Sequence, residues 1–526
     1  MAAIITDDFR RNQARLLVND IKASASASFD ASSDNSDETT WPYRGNNRYA
    51  IGLGKSDPWP DSDGIAEDSN SFAAPVPSGT IQEMDDVMNN LFTLKDVEIA
   101  NVKQLIAKNI WVSGRKYKIY NTSDNDMFYA TADEYPCVVT NGDKVYVCLS
   151  NSAIDGYTSA GIASTVAPAG TNYQYNSTTT DGYVWAHVAT LTAEKLNTAQ
   201  YAPIPQADVA GQTSHVITGG LLTHIGVTDG GTGYTSAPTV TVTAVDHNGQ
   251  AITNSTGVTF KAIVENGAVT RVDMTDTAAS PAAGSNHYWT TDTTRAPYIG
   301  DGTIASRAVL ATVAFSGGGA TSQATGYAVI LPPTGLASNA IDVLPTWFVG
   351  ISTDFIALGT DDDHAAIDFR QVSLLKNVVR NTAEDTSDGT MDTLKYLTLD
   401  TPTAAQTAAR AGLTQGQVLY GSASGALTYF DYISGNDLYY HQNSNADVNM
   451  IRPEATDNLG TTSGGDELGV ITSVNKGEYD QFKHTAYGAN DTTPTKKNGE
   501  VIFHENRKPF SRGSDQNEEV KLIIQL

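Results

Sequence analysis

Phe260-Lys261-Ala262-Ile263-Val264-Glu265-Asn266-Gly267-Ala268-Val269 is the stretch whose reading decides the fold class. Two runs rich in β-branched residues meet at Asn-Gly, a pair that accepts positive φ at both central positions of a type I′ turn. The segment therefore predicts an antiparallel hairpin. Around it, residues 211–330 are poor in charge and rich in Gly, Thr, Ala and Val. Upstream, Ile225-Gly226-Val227-Thr228-Asp229-Gly230-Gly231-Thr232-Gly233-Tyr234 leads into Ser236-Ala237-Pro238-Thr239-Val240-Thr241-Val242. Val269 to Met274 opens a degraded second copy of that unit, continuing through Gly284-Ser285-Asn286-His287-Tyr288 to Ala308-Val309-Leu310. One and a half copies are too few for a solenoid, so the region reads as an inserted β module.

The rest of the chain agrees with this class. It has 526 residues, too many for one ordinary core, with 17% charged residues and 45 glycines. That balance suits a mainly β (α+β), multi-domain protein: an antiparallel β-sandwich-like core, a few helices and two inserted β-rich modules. The expected organisation is an N-terminal helix and linker (1–40), a first core lobe (41–210), the inserted module (211–330), core again (331–380), a second insert (381–470) and C-terminal core strands (471–526). Thr6-Asp7-Asp8 caps a first helix whose Phe9, Leu16, Leu17 and Ile21 fall near one face. Thr80-Ile81-Gln82-Glu83 spells a capping box, followed by the stripe Ile81, Met84, Val87, Met88 and Leu91. Ile110 to Leu149 alternates like antiparallel strands, and Tyr201 to Pro205 reads as an edge segment. Thr403 to Ala411 is a short helix closed by Gly412.

Net charge is −26 with a pI near 4.5. A phosphate backbone is repelled by such a surface, so direct nucleic-acid binding is not expected. No stretch reaches the ~18 apolar residues of a membrane span, and the acidic N-terminus is unlike a signal peptide. Cys137 and Cys148 flank Val138 to Val147. A turn at Gly142-Asp143 sets them opposite one another and a turn at Asn141-Gly142 does not. Free buried thiols are the expectation for two cysteines in so long a chain.

No pattern points to a cofactor or a metal. Gly54-Lys55-Ser56 follows a strand like the end of a phosphate-binding loop, but position 49 is Tyr where that loop needs Gly, and Pro58 blocks a helix start. Asp361-Asp362-Asp363-His364 lacks the spacing of a calcium loop, and the nine histidines form no zinc pattern. No Gly-x-Ser-x-Gly elbow occurs, so no catalytic residues are assigned. A cell-wall or capsule hydrolase would need two carboxylates about 5–9 Å apart, and none of the 59 acidic residues is singled out. The aromatics of Tyr429-Phe430-Asp431-Tyr432 and Tyr439-Tyr440-His441 read as strand cores or as a surface for stacking on sugars.

Four segments occur in a telling order: Gly54-Lys55-Ser56-Asp57-Pro58-Trp59; Asp181-Gly182-Tyr183-Val184-Trp185; Asp368-Phe369-Arg370-Gln371-Val372; and Gly499-Glu500-Val501-Ile502-Phe503-His504-Glu505-Asn506-Arg507-Lys508-Pro509, followed by Glu518-Glu519-Val520-Lys521-Leu522-Ile523-Ile524. Together they resemble the baseplate wedge subunit of T-even-like contractile-tailed bacteriophages, the gene product eight family, over about half of the chain. The resemblance implies a two-lobed β-rich virion protein, made in the host cytoplasm and housed in the tail baseplate, that is not an enzyme. It implies a homodimer in contact with other wedge subunits, while the two inserts depart from the family and offer surfaces for tail fibres or accessory baseplate proteins. Trp59, Tyr183, Trp185, Phe369, Arg370, Asn506, Arg507 and Pro509 are the structural or interface candidates. The alternative is a glycan-recognising tail adhesin, with the inserts as binding modules.

Overall fold

The computed structural model describes residues 4–24, 49–60, 64–121, 126–151, 163–170, 174–175, 181, 183–204, 222–245, 251–252, 258–276, 310–330, 340–355, 367–376, 390–392, 395–442, 451, 453–475, 499–511 and 518–526. Asp361 to His364, Gly284 to Tyr288 and the linker beyond Ser24 lie outside them. The protein is mainly β, with several antiparallel sheets and one closed barrel. Two compact units share the chain: unit 1 holds Met1–Leu16, Lys103–Gly350 and Ile523–Leu526, and unit 2 holds Leu17–Val102 and Ile351–Leu522. The chain passes from one to the other within the helix Asp7–Ser24 and the strands Val102–Ala107, Phe348–Phe355 and Glu518–Gln525.

In unit 1, Val138–Asn141, Lys144–Asn151, Tyr183–Thr190 and Gln174–Tyr175 form one sheet. Asn141 pairs with Lys144, so the turn is Gly142-Asp143, with Gly142 at φ 62° as a type II′ turn requires. That register sets Cys137 opposite Cys148, whose N–H donates to the Cys137 carbonyl at 2.8 Å; both thiols are buried and neither is in a disulfide. Among the described residues between Ile110 and Pro136 the backbone makes isolated β-bridges, such as Ile110 with Thr140, in place of the strands the alternation suggests. Tyr183 stacks on Trp185 (5.4 Å, 12°), and Tyr117 meets Trp185 edge-on at 5.5 Å, all fully buried. These large rings anchor the unit's main core.

The Asn266-Gly267 turn forms as expected, with φ 54° and 79°, joining Val258–Glu265 to Ala268–Asp276. A five-stranded sheet accompanies it, ordered Ala251–Ile252, Thr239–Val245, Leu310–Ser316, Thr325–Ile330, Leu222–Asp229. Val240, Val242, Val269, Val272 and Phe315 share one cluster.

Unit 2 contains a five-stranded sheet ordered Thr390–Asp392, Leu91–Asp96, Tyr49–Gly54, Phe369–Lys376, Glu500–Phe510. It also contains a closed six-stranded barrel, in the cyclic order Lys395–Leu399, Asp437–His441, Leu427–Ser434, Val418–Gly421, Asn458–Gly460, Gly469–Asn475. Leu397, Leu399, Leu419, Phe430, Leu438, Tyr440, Leu459 and Ile471 fill the barrel. Helix Ala404–Ala411 carries a full Thr403/Gln406 capping box, and its Arg410 donates to the Leu468 and Asp400 carbonyls at 2.8 and 3.0 Å.

Two helix expectations are corrected. Asp7–Ser24 buries Ala14, Val18 and Ile21, whereas Phe9 and Leu16 are exposed. Thr80 caps Ile81–Asn90 by accepting from the Glu83 N–H at 3.2 Å, but the Glu83 carboxylate turns to the Ser78 and Gly79 N–H groups, so the box is half formed. Ile81 is exposed, and Leu91 already belongs to the next strand.

Two predictions follow from the packing. Ellman's reagent reacts with neither thiol in the native protein and with both Cys137 and Cys148 once denaturant is added. Leu438→Ala, which empties part of the barrel, lowers stability by about 2–5 kcal/mol in urea unfolding.

Candidate functional site

The segment Gly54 to Trp59 leaves the central strand of the unit 2 sheet at a point where the chain must turn tightly. Leu53 pairs with Thr93 but Gly54 with Leu91, so Phe92 is an extra residue at a bulge. A Cβ on Gly54 would lie 2.8 Å from the Asn90 carbonyl oxygen, a space only glycine leaves open. Lys55 then donates its N–H to that carbonyl at 3.1 Å and adopts φ 59°, a left-handed conformation rare for a long side chain. The turn drives the Lys55 ammonium inward until it is 1% exposed.

Buried charge is tolerated only when paired and hydrogen-bonded, and here every charge is. Lys55 Nζ donates to Asp57 Oδ2 at 2.6 Å and lies 4.7 Å from the Trp59 ring centroid. Asp57 Oδ1 accepts from His441 Nε2 at 2.9 Å. His441 Nδ1 lies 3.0 Å from both oxygens of Asp431, and the Ser56 hydroxyl donates to Asp431 Oδ1. Tyr429 stacks on the imidazole at 5.1 Å and 18°. Around this centre, Arg370 donates from Nη1 to the Ser56 carbonyl at 2.6 Å and from Nε to Glu67 Oε2 at 2.9 Å. Glu67 also accepts from the Trp59 N–H, and Trp59 Nε1 donates to the Arg507 carbonyl at 2.9 Å.

Asp431 reaches the centre because of its place in the barrel wall. Phe430 pairs with Tyr440 and Tyr432 with Tyr439, leaving Asp431 as the unpaired residue of a bulge. Such a bulge re-aims a side chain. Gly416 (φ 79°) lets the barrel approach closely, since a Cβ there would sit 2.7 Å from Pro58 Cδ and 3.0 Å from Asp57 Cα.

Burial alone would lower the His441 pKa, but Asp431 first and Asp57 second overcome it, and the imidazole is pushed up from 6.5 to about 9. Asp57 is held far below the usual carboxylate range: burial would raise it, and His441 and Lys55 outweigh that. Ser, His and Asp thus meet without the geometry of a hydrolytic triad. An imidazolium bonded to carboxylates through both nitrogens has no lone pair for the Ser56 proton, and Ser56 spends that proton on Asp431. What the arrangement does chemically is hold strand ends and barrel wall in fixed register.

Six of the eight candidates from the sequence fall on or beside this network in unit 2. Trp59 and Arg370 belong to it. Phe369 packs on Phe510 at 5.1 Å, and Arg507 sits over both rings at 5.7 and 5.8 Å. Asn506 accepts from Gln371 Nε2 at 2.9 Å and donates to the Pro75 carbonyl at 3.1 Å. Pro509 is half-buried in the same strand. Tyr183 and Trp185 lie in the unit 1 core instead. The central pair His441 and Asp431 was read only as part of an aromatic run. Of that run, Phe430 and Tyr440 fill the barrel. Tyr396, Tyr439 and Tyr432 form a row on its wall, with centroid spacings of 5.2 and 4.1 Å.

Among the described residues no group of three His, Cys, Asp or Glu side chains is placed to hold a metal ion, and no helix is long and apolar enough to cross a membrane. No protein-family model matches the chain, and no curated protein matches it.

His441→Ala leaves Asp57 and Asp431 buried against each other and costs about 3–5 kcal/mol in urea unfolding. A raised histidine pKa stabilises fully below pH 6.5 and loses that contribution as pH climbs through about 9. A depressed carboxylate stabilises above 3.8 and fails as pH falls below it. The network therefore contributes its full stability between those limits, from 3.8 to 6.5. Its alkaline decline flattens in His441→Gln, measured as unfolding midpoints across pH.

Proposed function

We propose that this chain is a structural subunit of a contractile phage tail baseplate, a wedge component that holds wedge geometry and moves as a body in the rearrangement that triggers sheath contraction. The observation that carries the reading is where the resembling residues fall. Three of the four resembling segments, Gly54 to Trp59, Phe369 to Val372 and Glu500 to Pro509, build adjoining strands of one sheet and the hydrogen bonds at its end, a connected framework, while Asp181 to Trp185 lies in unit 1. A buried, charge-balanced lock with no general base suits a part that transmits force through rigid elements. On this reading the chain forms a homodimer and meets other wedge subunits through surfaces of the order of 2,000 Å² or more. The inserts at about 211–330 and 381–470 face tail fibres or accessory proteins. It works in the virion and is assembled in the host cytoplasm.

A second reading, a glycan-recognising tail adhesin, draws on the row Tyr396, Tyr439 and Tyr432. Tyr432 and Tyr439 stack face to face at 11°, so these two rings cover one another, and sugar stacking is left mainly to the outer faces of the row. Strong retention of the protein on host-surface polysaccharide, lost in Tyr432→Ala, favours this reading.

Light scattering on the purified protein gives a dimer, and electron microscopy of particles carrying it shows its density at the tail tip. A zymogram on cell wall and capsule gives no clearing with folded protein. A strict monomer, absent from the tail tip, overturns the wedge reading; clearing overturns the non-enzymatic one.

A further inference from the structure

The geometry points to the open edge of strand Glu500–Phe510 as the surface on which a second copy of this chain pairs, strand to strand and antiparallel. The inference rests on the homodimer proposed above and gives it a location. Glu500–Phe510 is the last strand of the unit 2 sheet; its inner edge pairs with Phe369–Lys376, and among the described residues no strand pairs with its outer edge. An open edge of this length is a template for another strand unless it is covered or blocked.

Two independent features mark this edge as a built surface. The first is apolar. Ile502 is 42% exposed on the strand itself, at the register break between the Leu374–Phe503 and Leu375–Val501 pairs. Val76 (88%) follows Pro75, whose carbonyl accepts from Asn506, and Ile81 (74%) precedes by two residues Glu83, whose Oε1 lies 3.3 Å from His504 Nε2. Ile502 lies on the edge strand itself, and Val76 and Ile81 lie on segments that the strand's side chains reach, so exposed apolar surface accompanies this strand.

The second feature is charge order. Glu500 and Glu505 come first and Arg507 and Lys508 after, with Glu500, Glu505 and Lys508 exposed. Antiparallel pairing about a twofold axis sets the acidic end of one copy against the basic end of the other, whereas parallel pairing opposes like charges. Such a contact is isologous and closes as a dimer. Lys508, tied back to the Ser69 and Asn70 carbonyls at 3.0 and 3.2 Å, and Pro509, which lacks an N–H, end the stretch that can pair.

The test uses the full chain and multi-angle light scattering at micromolar concentration. Wild type runs as a dimer, and E500K/E505K, altered only at exposed positions, runs as a monomer with an unchanged circular dichroism spectrum. Ile502→Asp also gives a monomer. An equimolar mixture of E500K/E505K with R507E/K508E recovers a dimer containing one of each, seen by native mass spectrometry. If E500K/E505K and Ile502→Asp both remain dimeric, this edge is not the interface while the homodimer stands. If wild type is itself monomeric, the homodimer and this inference fall together.

Discussion

The imidazole of His441 meets a carboxylate through each ring nitrogen, Asp57 at Nε2 and Asp431 at Nδ1, and all three groups are almost wholly out of water. Three dry ionised groups are expensive to assemble, and the expense is tolerable only if none lacks its partner. That requirement reaches outward. Lys55 completes Asp57, and the Lys55 position demands the left-handed turn after Gly54. Asp431 has to leave the ladder of the barrel wall to face the ring, and Ser56 has to give it a second hydrogen bond. Strand end, barrel wall and the Gly416 approach are thus fixed by one set of pairings, because a shift in any of them strands a charge.

The network also balances. Lys55, His441 and Arg370 are matched by Asp57, Asp431 and Glu67. A chain with net charge −26 therefore carries its excess outside this interior. Such a surface discourages non-specific association, so contacts have to be selected by shape and by local charge order. Replacing a buried ion cluster by well-packed apolar residues is often neutral or stabilising, so the value of this one lies in register more than in net free energy.

Much of this was legible in the residues where the signal is local. Asn266-Gly267 specifies its own turn, Thr403 with Gln406 specifies a helix start, and Trp59 is large enough that burial could be expected of it. Other features depend on pairings hundreds of residues apart. Nothing near Asp431 says that it will be extruded from a ladder, since the bulge exists only once Phe430 and Tyr440 have found each other. Closure of the barrel requires Lys395–Leu399 to meet Gly469–Asn475, which no local periodicity encodes. The first helix carries apolar residues on two faces, and packing selects Ala14, Val18 and Ile21 over Phe9 and Leu16. Glu83 left its expected capping partner because Ser78 and Gly79 present N–H groups nearer to hand.

The interleaved course of the chain sets a schedule for its synthesis. Tyr49–Gly54 is buried along its whole length, yet one of its two flanking strands, Phe369–Lys376, lies more than three hundred residues downstream. At translation rates of about 5–20 residues per second, that partner emerges roughly 15–60 seconds later. For that interval a greasy ribbon is tethered at the ribosome with only its other neighbour, Leu91–Asp96, to lean on once that strand has emerged. Unit 2 thus matures after translation has nearly ended. Slow elongation lengthens that wait, and with it the nascent polypeptide's exposure to aggregation.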